Sequence, residues 1–451
     1  MARLFGTDGI RGIANTELTP EFAMEIGKAT VSVLTKGSSS KARILVGKDT
    51  RISSDMLESA LAAGMCSMGA DVYMLGFIPT PAVAHLIKRY GATAGVVISA
   101  SHNPMEYNGI KVLGPQGIKL ADELEQEIEV CLTNKELLPV KTGPEVGAIS
   151  YLSNAANEYI EYIADCIGEP LTGIKVAVDC ANGASFDVAK KLFTRLEVDA
   201  VFTAITPDGT NINDEVGSTH LNSVRNLLLE NSCDIGVAFD GDADRCLAVD
   251  EKGETIDGDS IIGVFAKSLK EKGKLNDNTV VVTVMSNLGF FEYCRNNGIS
   301  VARTNVGDRF VLEEMLKNNY SLGGEQSGHI IISEYASTGD GLLTSLMLVK
   351  RLRESGLKAS ELVSEIPSYP QVLKKVDANA NQKRFFEEST EIAEFLEEIE
   401  RNLADRGRIL VRCSGTEHLI RVMVEGKNPT EIEETADSIC LMLDQALLSV
   451  N

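Results

Sequence analysis

The chain has 451 residues, 44% hydrophobic and 24% charged, a globular composition too long for one ordinary core, so about two to four domains are expected. No apolar run reaches the ~18 residues of a membrane-spanning helix, and the opening MARLFGTDGIRG has no signal-peptide core, so the expected location is the cytoplasm, away from membranes. A net charge of −22 argues against nucleic acid as a partner, and nine cysteines without a CxxC pair argue for reduced thiols and against structural zinc. Cys180 and Cys440 read as core residues. In so acidic a chain the basic residues beside glycines and polar turns are the informative ones for an anionic small substrate: Arg11, Lys111, Arg245, Arg309, Arg412 and Arg421.

The first element of note is FGTDGIRG, with Arg11 between glycines, which alone is a turn. Apolar strands then alternate with longer amphipathic segments, the pattern of α/β units on a largely parallel sheet. ARILVGKDTR (42–51) is a strand, a polar turn and the start of a helix; IKVAVDCANGAS (174–185) and TVVVTVMSNLG (279–289) repeat that order, which suggests three similar α/β domains in series.

GVVISASHNPMEYNGIK (95–111) is a buried strand that ends in Ser101, His102 and the turn former Asn103-Pro104. It reads as a polar turn, as a hydrolase nucleophile lacking the GxSxG elbow, or as a serine that carries a phosphoryl group with His102 and Lys111 beside it. DIGVAFDGDADR (234–245) places Asp240, Asp242 and Asp244 at i, i+2 and i+4 past another strand. An EF-hand is excluded, because Arg245 stands where that loop needs glycine and a strand precedes it. Either the turn is solvated, or a divalent cation relieves the mutual repulsion of three carboxylates, and Mg²⁺ suits carboxylates plus a phosphate oxygen.

RTNVGDRF (303–310) brings Gly307, Asp308 and Arg309, and is uninformative alone. In LGGEQSGHIII (322–332), Glu325, Ser327 and His329 alternate on a Gly-supported loop, either a tight turn or a holder of vicinal sugar hydroxyls. The last eighty residues change character. Strand VLKKVDA (372–378) and a charged helix near Glu387 to Leu403 precede RILVRCSGTEHLIRVMVEG (408–426), two strands around a glycine loop. Pro429 opens a final helix with Ile432, Ala436, Ile439, Cys440 and Leu443 on one face. In the loop, Ser414, Gly415 and Thr416 between Arg412 and Arg421 suit a phosphate dianion. The expected domains are 1–150, 151–256, 257–368 and 369–451, with one chemical loop in each, as for a phosphorylated sugar held in a central cleft between them.

SASHNP, DGDADR, GEQSGH and RCSGTEHLIR resemble, in order and spacing, the four active-site loops of the α-D-phosphohexomutase family, and the likeness spans essentially the whole chain. It implies three related three-layer α/β/α domains and a smaller C-terminal α+β domain. It also implies a phosphorylated Ser101, Mg²⁺ ligated by Asp240, Asp242, Asp244 and the serine phosphate, and Arg245 near that phosphate. Glu325 and Ser327 would contact sugar hydroxyls. Arg412, Ser414, Gly415, Thr416 and Arg421 would hold the existing phosphate, and Arg11, His102 and Lys111 would lie near the transferring group, Lys111 or His102 moving a proton. FGTDGIRG, NVGDRF and the glutamine of GEQSGH point within the family to a hexosamine phosphate, with a sugar 1,6-bisphosphate as intermediate and activator and a homodimer as a possible assembly; Gly307, Asp308 and Arg309 join the substrate contacts on that ground. The same chemistry on glucose or mannose phosphates, and a non-catalytic sugar-phosphate or cation sensor, stay open. Ala243 stands where glycine is frequent in the family, His418 where proline is common, and Met105-Glu106-Tyr107 where an aspartate often precedes Asn108; none removes a ligand or the serine.

Overall fold

The computed structural model describes residues 4–6, 8–37, 40–134, 138, 140–414, 418–448 and 450. Three mixed sheets and one antiparallel sheet follow in chain order. The first comprises β1 (Ile10–Ile13), β2 (Arg43–Lys48), β3 (Asp71–Phe77), β4 (Ala94–Ile98), β5 (Tyr107–Leu113) and β6 (Ile149–Tyr151), ordered β1-β5-β4-β2-β3-β6. The second holds β7 (Lys175–Asp179), β8 (Asp199–Thr203), β9 (Ile235–Phe239), β10 (Cys246–Asp250) and β11 (Thr255–Ile256), ordered β11-β10-β9-β7-β8. The third is β13 (Ser300–Thr304), β12 (Thr279–Thr283), β14 (Leu322–Gly324) and β15 (Ile330–Ile332).

One connectivity recurs in all three. Two parallel strands, β2-β3, β7-β8 or β12-β13, are followed by a third that pairs parallel with the first of them, and a fourth returns antiparallel beside the third. The third-to-fourth turn is where the chemistry of the sequence falls: 99–106 after β4, 240–245 after β9 and 325–329 after β14. The strand tips that look alike in sequence are those of β2, β7 and β12, the first strand of each set.

Helices cover the sheets because their apolar faces have nowhere else to go. Thr19 caps helix Pro20–Leu34, accepting from Phe22 N–H, with Pro20 in the first turn where a missing N–H costs nothing. Ile26 of that helix, and Leu57 and Leu61 of helix Ile52–Ser67, join Ile44, Val46, Val96 and Ile98 in one buried core. The two helices approach so closely that a Cβ built on Gly64 would overlap the carbonyl of Met24.

The contacts group the chain into two compact units, residues 1–285 with 299–365, and 286–298 with 366–451. Ser150 lies inside β6, which pairs with β3 and so completes the first sheet. Helix Leu288–Asn296, expected in the third domain, groups with the C-terminal residues: Asn287 exchanges hydrogen bonds with the backbone of Tyr369, and Arg408 donates to the Ser286 carbonyl.

The fourth sheet is antiparallel, β16 (Gln371–Asp377), β18 (Leu419–Gly426) and β17 (Gly407–Cys413) in that order. Ile420, Val422 and Val424 pack with Ile392 and with Ile432, Ala436, Ile439 and Leu443 of helix Pro429–Leu447, while Cys440 of the expected face is only partly buried. The helix expected over 387–403 is two, Ala380–Glu388 and Thr390–Leu403. Ser389 takes an extended conformation between them and its side chain accepts from Ile392 N–H, so a local cap replaces continuous helix. All nine cysteines are free thiols, and among the described residues no helix is long and apolar enough to cross a membrane.

Candidate active site

Ser101 sits just past β4, fully buried, in the left-handed region at φ 54°. Its hydroxyl donates to Asp240 Oδ2 at 2.6 Å and lies 3.3 Å from His102 Nδ1. Asp240, Asp242 and Asp244 occupy the turn from β9 to β10, where Ala243 takes the left-handed conformation (φ 55°) that glycine adopts most readily. One ligand oxygen from each of the three carboxylates falls within 4.8 Å of the others. Asp242 Oδ2 accepts from Thr80 Oγ1 at 2.6 Å and from Lys111 Nζ at 2.7 Å. Asp242 Oδ1 and Asp244 Oδ1 are buried with no hydrogen-bond partner. Burial, then Asp244 and Asp242, push the Asp240 carboxyl well above the usual carboxylate range. Hard oxygen donors crowded together, two of them orphaned, fit a divalent cation, whose charge would relieve that strain.

Around the carboxylates lies a ring of compensating charge, buried at Lys111 and His329 and partly buried elsewhere. Lys111 on β5 is 1% exposed and contacts Asp242, Asp8 at 2.9 Å and Asp244 at 3.6 Å. Burial pulls its pKa down, but Asp242, Asp8 and Asp244 outweigh that and hold the ammonium well above the usual lysine value. Asp8 also pairs with Arg11 and, at 2.7 Å, with Lys119, which continues to Asp308 at 2.7 Å. Burial, then Arg245 and Arg11, bring the His102 pKa down to about 4, so the ring is neutral, and Arg245 Nη1 lies 3.3 Å from its Nδ1.

His329 closes the ring from the third sheet, 3.6 Å from both Asp244 and Asp308. Burial lowers its pKa and the carboxylates of Asp244, Asp308 and Glu325 raise it further, to about 9. The Gly339 N–H nevertheless donates to Nε2 at 2.9 Å. That shorter bond requires a lone pair on Nε2, so in this arrangement the ring is the neutral tautomer with its proton on Nδ1, towards Asp244.

Glu325 accepts from Gly307 N–H at 3.1 Å, and burial raises its pKa; Ser327 is half-buried two residues on. Arg309, expected to touch substrate, pairs with Asp122 at 2.6 Å, Glu313 at 2.9 Å and Glu125 at 3.4 Å, because the α-helix that carries it lies beside the helix Asp122–Thr133. In the C-terminal unit Arg412 and Arg421 are register partners on β17 and β18, and Lys375 is the partner of Arg421 on β16. These three cations fall in one row across the sheet. Burial, then Arg421, lower the Arg412 pKa. Ser414 is buried and its carbonyl accepts from Lys383 at 2.7 Å; Gly415 and Thr416 lie outside the described residues.

Four domain families match in series: phosphoglucomutase/phosphomannomutase alpha/beta/alpha domain I over residues 2–138, domain II over 157–253, domain III over 257–369 and the C-terminal domain over 373–442. The chain belongs to the phosphoglucomutase/phosphomannomutase family. Relatives named phosphoglucosamine mutase from Clostridium tetani and Clostridium perfringens are 50% identical over 446 residues and 52% identical over 445 residues, covering 99% and 98% of this chain and 99% of each relative. Among solved structures, a phosphoglucomutase/phosphomannomutase family protein from Burkholderia thailandensis superposes with a TM-score of 0.82 at 23% identity, covering 100% of this chain and 99% of that one.

Seen in this phosphohexomutase, Asp8, Lys119 and Thr80 escape sequence reasoning, and His329, singled out as part of a loop, is not paired with the aspartates by it. Asp8 stands inside FGTDGIRG, three residues from Arg11, a spacing that could have flagged it. Lys119 and Thr80 carry no local signal. His329 lies in GEQSGH, but its partner Asp244 is 85 positions away and only the tertiary fold joins them.

Proposed function

We propose that this phosphohexomutase, an isomerase, interconverts glucosamine 6-phosphate and glucosamine 1-phosphate through a phosphorylated Ser101 and a 1,6-bisphosphate. The observation that carries the mechanism is the Ser101 hydroxyl lodged 2.6 Å from Asp240 in a trio of cation-suited carboxylates. The choice of sugar is supported by the full-length relatives that bear the name phosphoglucosamine mutase.

In the first half-reaction the bond from phosphorus to Ser101 Oγ breaks as one forms to the sugar O1, whose proton leaves while Oγ takes one up. The bisphosphate then turns end for end. In the second half, Ser101 Oγ loses its proton and bonds the 6-phosphoryl phosphorus, O6 takes a proton, and glucosamine 1-phosphate departs. Such transfers depend on positioning and on charge neutralisation. Asp240, Asp242 and Asp244, with the serine phosphate, would hold the Mg²⁺ that neutralises the transferring group. Arg245, Arg11 and Lys111 add fixed positive charge, and His102, neutral, is able to accept a proton. Glu325 and Ser327 orient sugar hydroxyls beside Gly307 and Asp308, and Arg412, Ser414, Gly415, Thr416 and Arg421 hold the phosphate that is not being transferred. A trace of bisphosphate primes the serine. The reading includes a cytoplasmic enzyme that feeds amino-sugar nucleotide and cell-wall precursor synthesis, and a homodimer, which light scattering would test.

A ³¹P NMR competition decides the substrate: protein, Mg²⁺ and a trace of bisphosphate are given glucosamine, glucose and mannose 6-phosphates at equal concentration. Glucosamine 1-phosphate should form fastest by far. Dominance of another 1-phosphate would overturn the sugar assignment alone, and no 1-phosphate from folded, phosphorylated protein would overturn the enzyme.

A further inference from the structure

Phosphoryl transfer at Ser101 needs that residue held still in a backbone conformation that residues with a Cβ rarely adopt. Two side chains outside the charge ring hold it. Arg51, just past β2, is 1% exposed. Its Nη2 donates to the carbonyls of Ser101 at 3.0 Å and Asn103 at 2.8 Å. Its Nη1 donates to the carbonyls of Tyr107, at 3.1 Å, and Pro104. One guanidinium thus fastens four carbonyls of the turn from β4 to β5. Asp49 sets the fork, accepting from Arg51 Nε at 2.8 Å and from Ser99 Oγ at 2.6 Å, and Ser99 Oγ accepts the Ser101 N–H at 2.9 Å.

The second holder comes from the second sheet's domain. Asn213 Nδ2 donates to the same two carbonyls, Ser101 at 2.9 Å and Asn103 at 3.1 Å. Asn213 is itself left-handed (φ 58°), and its N–H donates to the Ala181 carbonyl at 3.0 Å beyond β7. Gly241, in the aspartate turn, leaves room for this junction: a Cβ there would lie 2.6 Å from the Ser101 oxygen and 3.0 Å from Asn213 Nδ2. Each of the two carbonyls is therefore shared between a guanidinium of the first domain and a carboxamide of the second.

We propose that Arg51 and Asn213 are positioning residues for phosphoryl transfer, clamping the Ser101 turn from two domains so that the serine oxygen faces the aspartates only when both are docked. Neither touches the reacting atoms; they act through the main chain. The proposal rests on the reading of Ser101 as the phosphorylated residue.

Asn213→Asp is the informative variant. It is nearly isosteric and tolerates the left-handed backbone, but it turns an acceptor towards two carbonyls. Asn213→Ala and Arg51→Lys accompany it, the latter keeping charge without the planar fork. Kinetics are measured well below each variant's melting temperature, with single-turnover transfer from the phosphoenzyme to glucosamine 6-phosphate and mass spectrometry of the Ser101 peptide. Asn213→Asp should lower kcat and the single-turnover rate about 10–100-fold, the scale of a misplacement of about 1 Å, and leave KM within about twofold. Wild-type rates in Asn213→Asp and Asn213→Ala would overturn the clamp, as would losses that only follow the folded fraction. Failure of Arg51→Lys to fold leaves the decision to the two Asn213 variants. A separate arm isolates the premise: full turnover by Ser101→Ala, or no phosphate on Ser101 of the working wild-type protein, overturns the phosphoserine reading and the clamp with it, whatever the Asn213 variants do.

Discussion

Asp242 carries more of the site than its neighbours. One of its oxygens is taken by Thr80 and Lys111, and the other is buried and unpartnered. Buried charge left in that state is costly, so the residue makes sense with a cation at its open oxygen and an ammonium at the closed one. Asp242→Asn keeps the shape, removes the charge and leaves Lys111 with weaker compensation. The Mg²⁺ concentration for half-maximal activity should rise about tenfold or more, with a lower kcat at saturating metal, read from a metal titration of initial rates. An unchanged titration would remove Asp242 from the ligand set. His102 and Lys111 divide at the same scale: the first is partly buried and faced by arginines, the second is buried and faced by carboxylates, so one is neutral and the other charged.

At the scale of elements, chemistry is delivered by strand ends. Parallel strands bring their C-terminal tips to one edge of a sheet, and an antiparallel return strand lets the chain turn there without leaving the sheet. The helices that support these sheets tolerate little change where they touch. Gly64→Ala should destabilise the protein by about 1–3 kcal/mol in a urea titration, although alanine is the better helix former, because its methyl overlaps the Met24 carbonyl and forces the helix pair apart. Unchanged or greater stability would mean that the pair separates freely. Helix Thr80–Tyr90 carries a pH-sensitive contact. The His85 ring stacks on Tyr162 at 3.7 Å with Nε2 buried and unpartnered, and burial, then Lys88 and Arg89, bring its pKa down to about 4. The unfolded histidine, near 6.5, takes its proton first as pH falls. The stabilisation is therefore complete above about pH 6.5 and is lost down to about pH 4. In His85→Gln the fall of melting temperature over that window should be shallower than in the wild type; identical slopes would show that His85 does not contribute.

For the whole molecule, the contacts divide the chain into two compact units, each built from two segments of chain. The first unit contains three sheets and the second one sheet with its own helices and core. Units of such unequal size need not unfold together. The calorimetric enthalpy of unfolding should exceed the van't Hoff enthalpy, showing more than one transition; equality of the two would mean that the units unfold as one cooperative body. The net charge of −22 makes the buried cations the more telling. Lys111 and Arg51, almost fully buried, and Lys119, partly buried, are all placed against carboxylates or carbonyls of the first unit.

Much of this protein was legible in its residues taken in order. Val- and Ile-rich runs ending in polar tips specify strands, the triple aspartate specifies a cation-suited turn, and Pro429 with its apolar stripe specifies the last helix, because periodicity and turn chemistry act over a few positions. Even the repeat showed, through the tips of β2, β7 and β12. The break at Ser389 was less legible, since a serine is tolerated in a helix and caps one only when the surrounding chain lets it. Other features were decided by tertiary structure. Arg51 meets the Ser101 turn across about fifty positions and Asn213 across more than a hundred. Thr80 and His329 reach the aspartates, and Asp8 and Lys119 reach Lys111 and Asp308, in the same way. Whatever its local setting, the role of each depends on which strand tips the sheet order brings together. Arg309 shows the same dependence: its sequence setting suits an anion, and the tertiary structure sets beside it the carboxylates of a helix nearly 190 positions earlier. Local sequence determines which groups are available, and burial beside a distant partner determines their charge, their geometry and so their use.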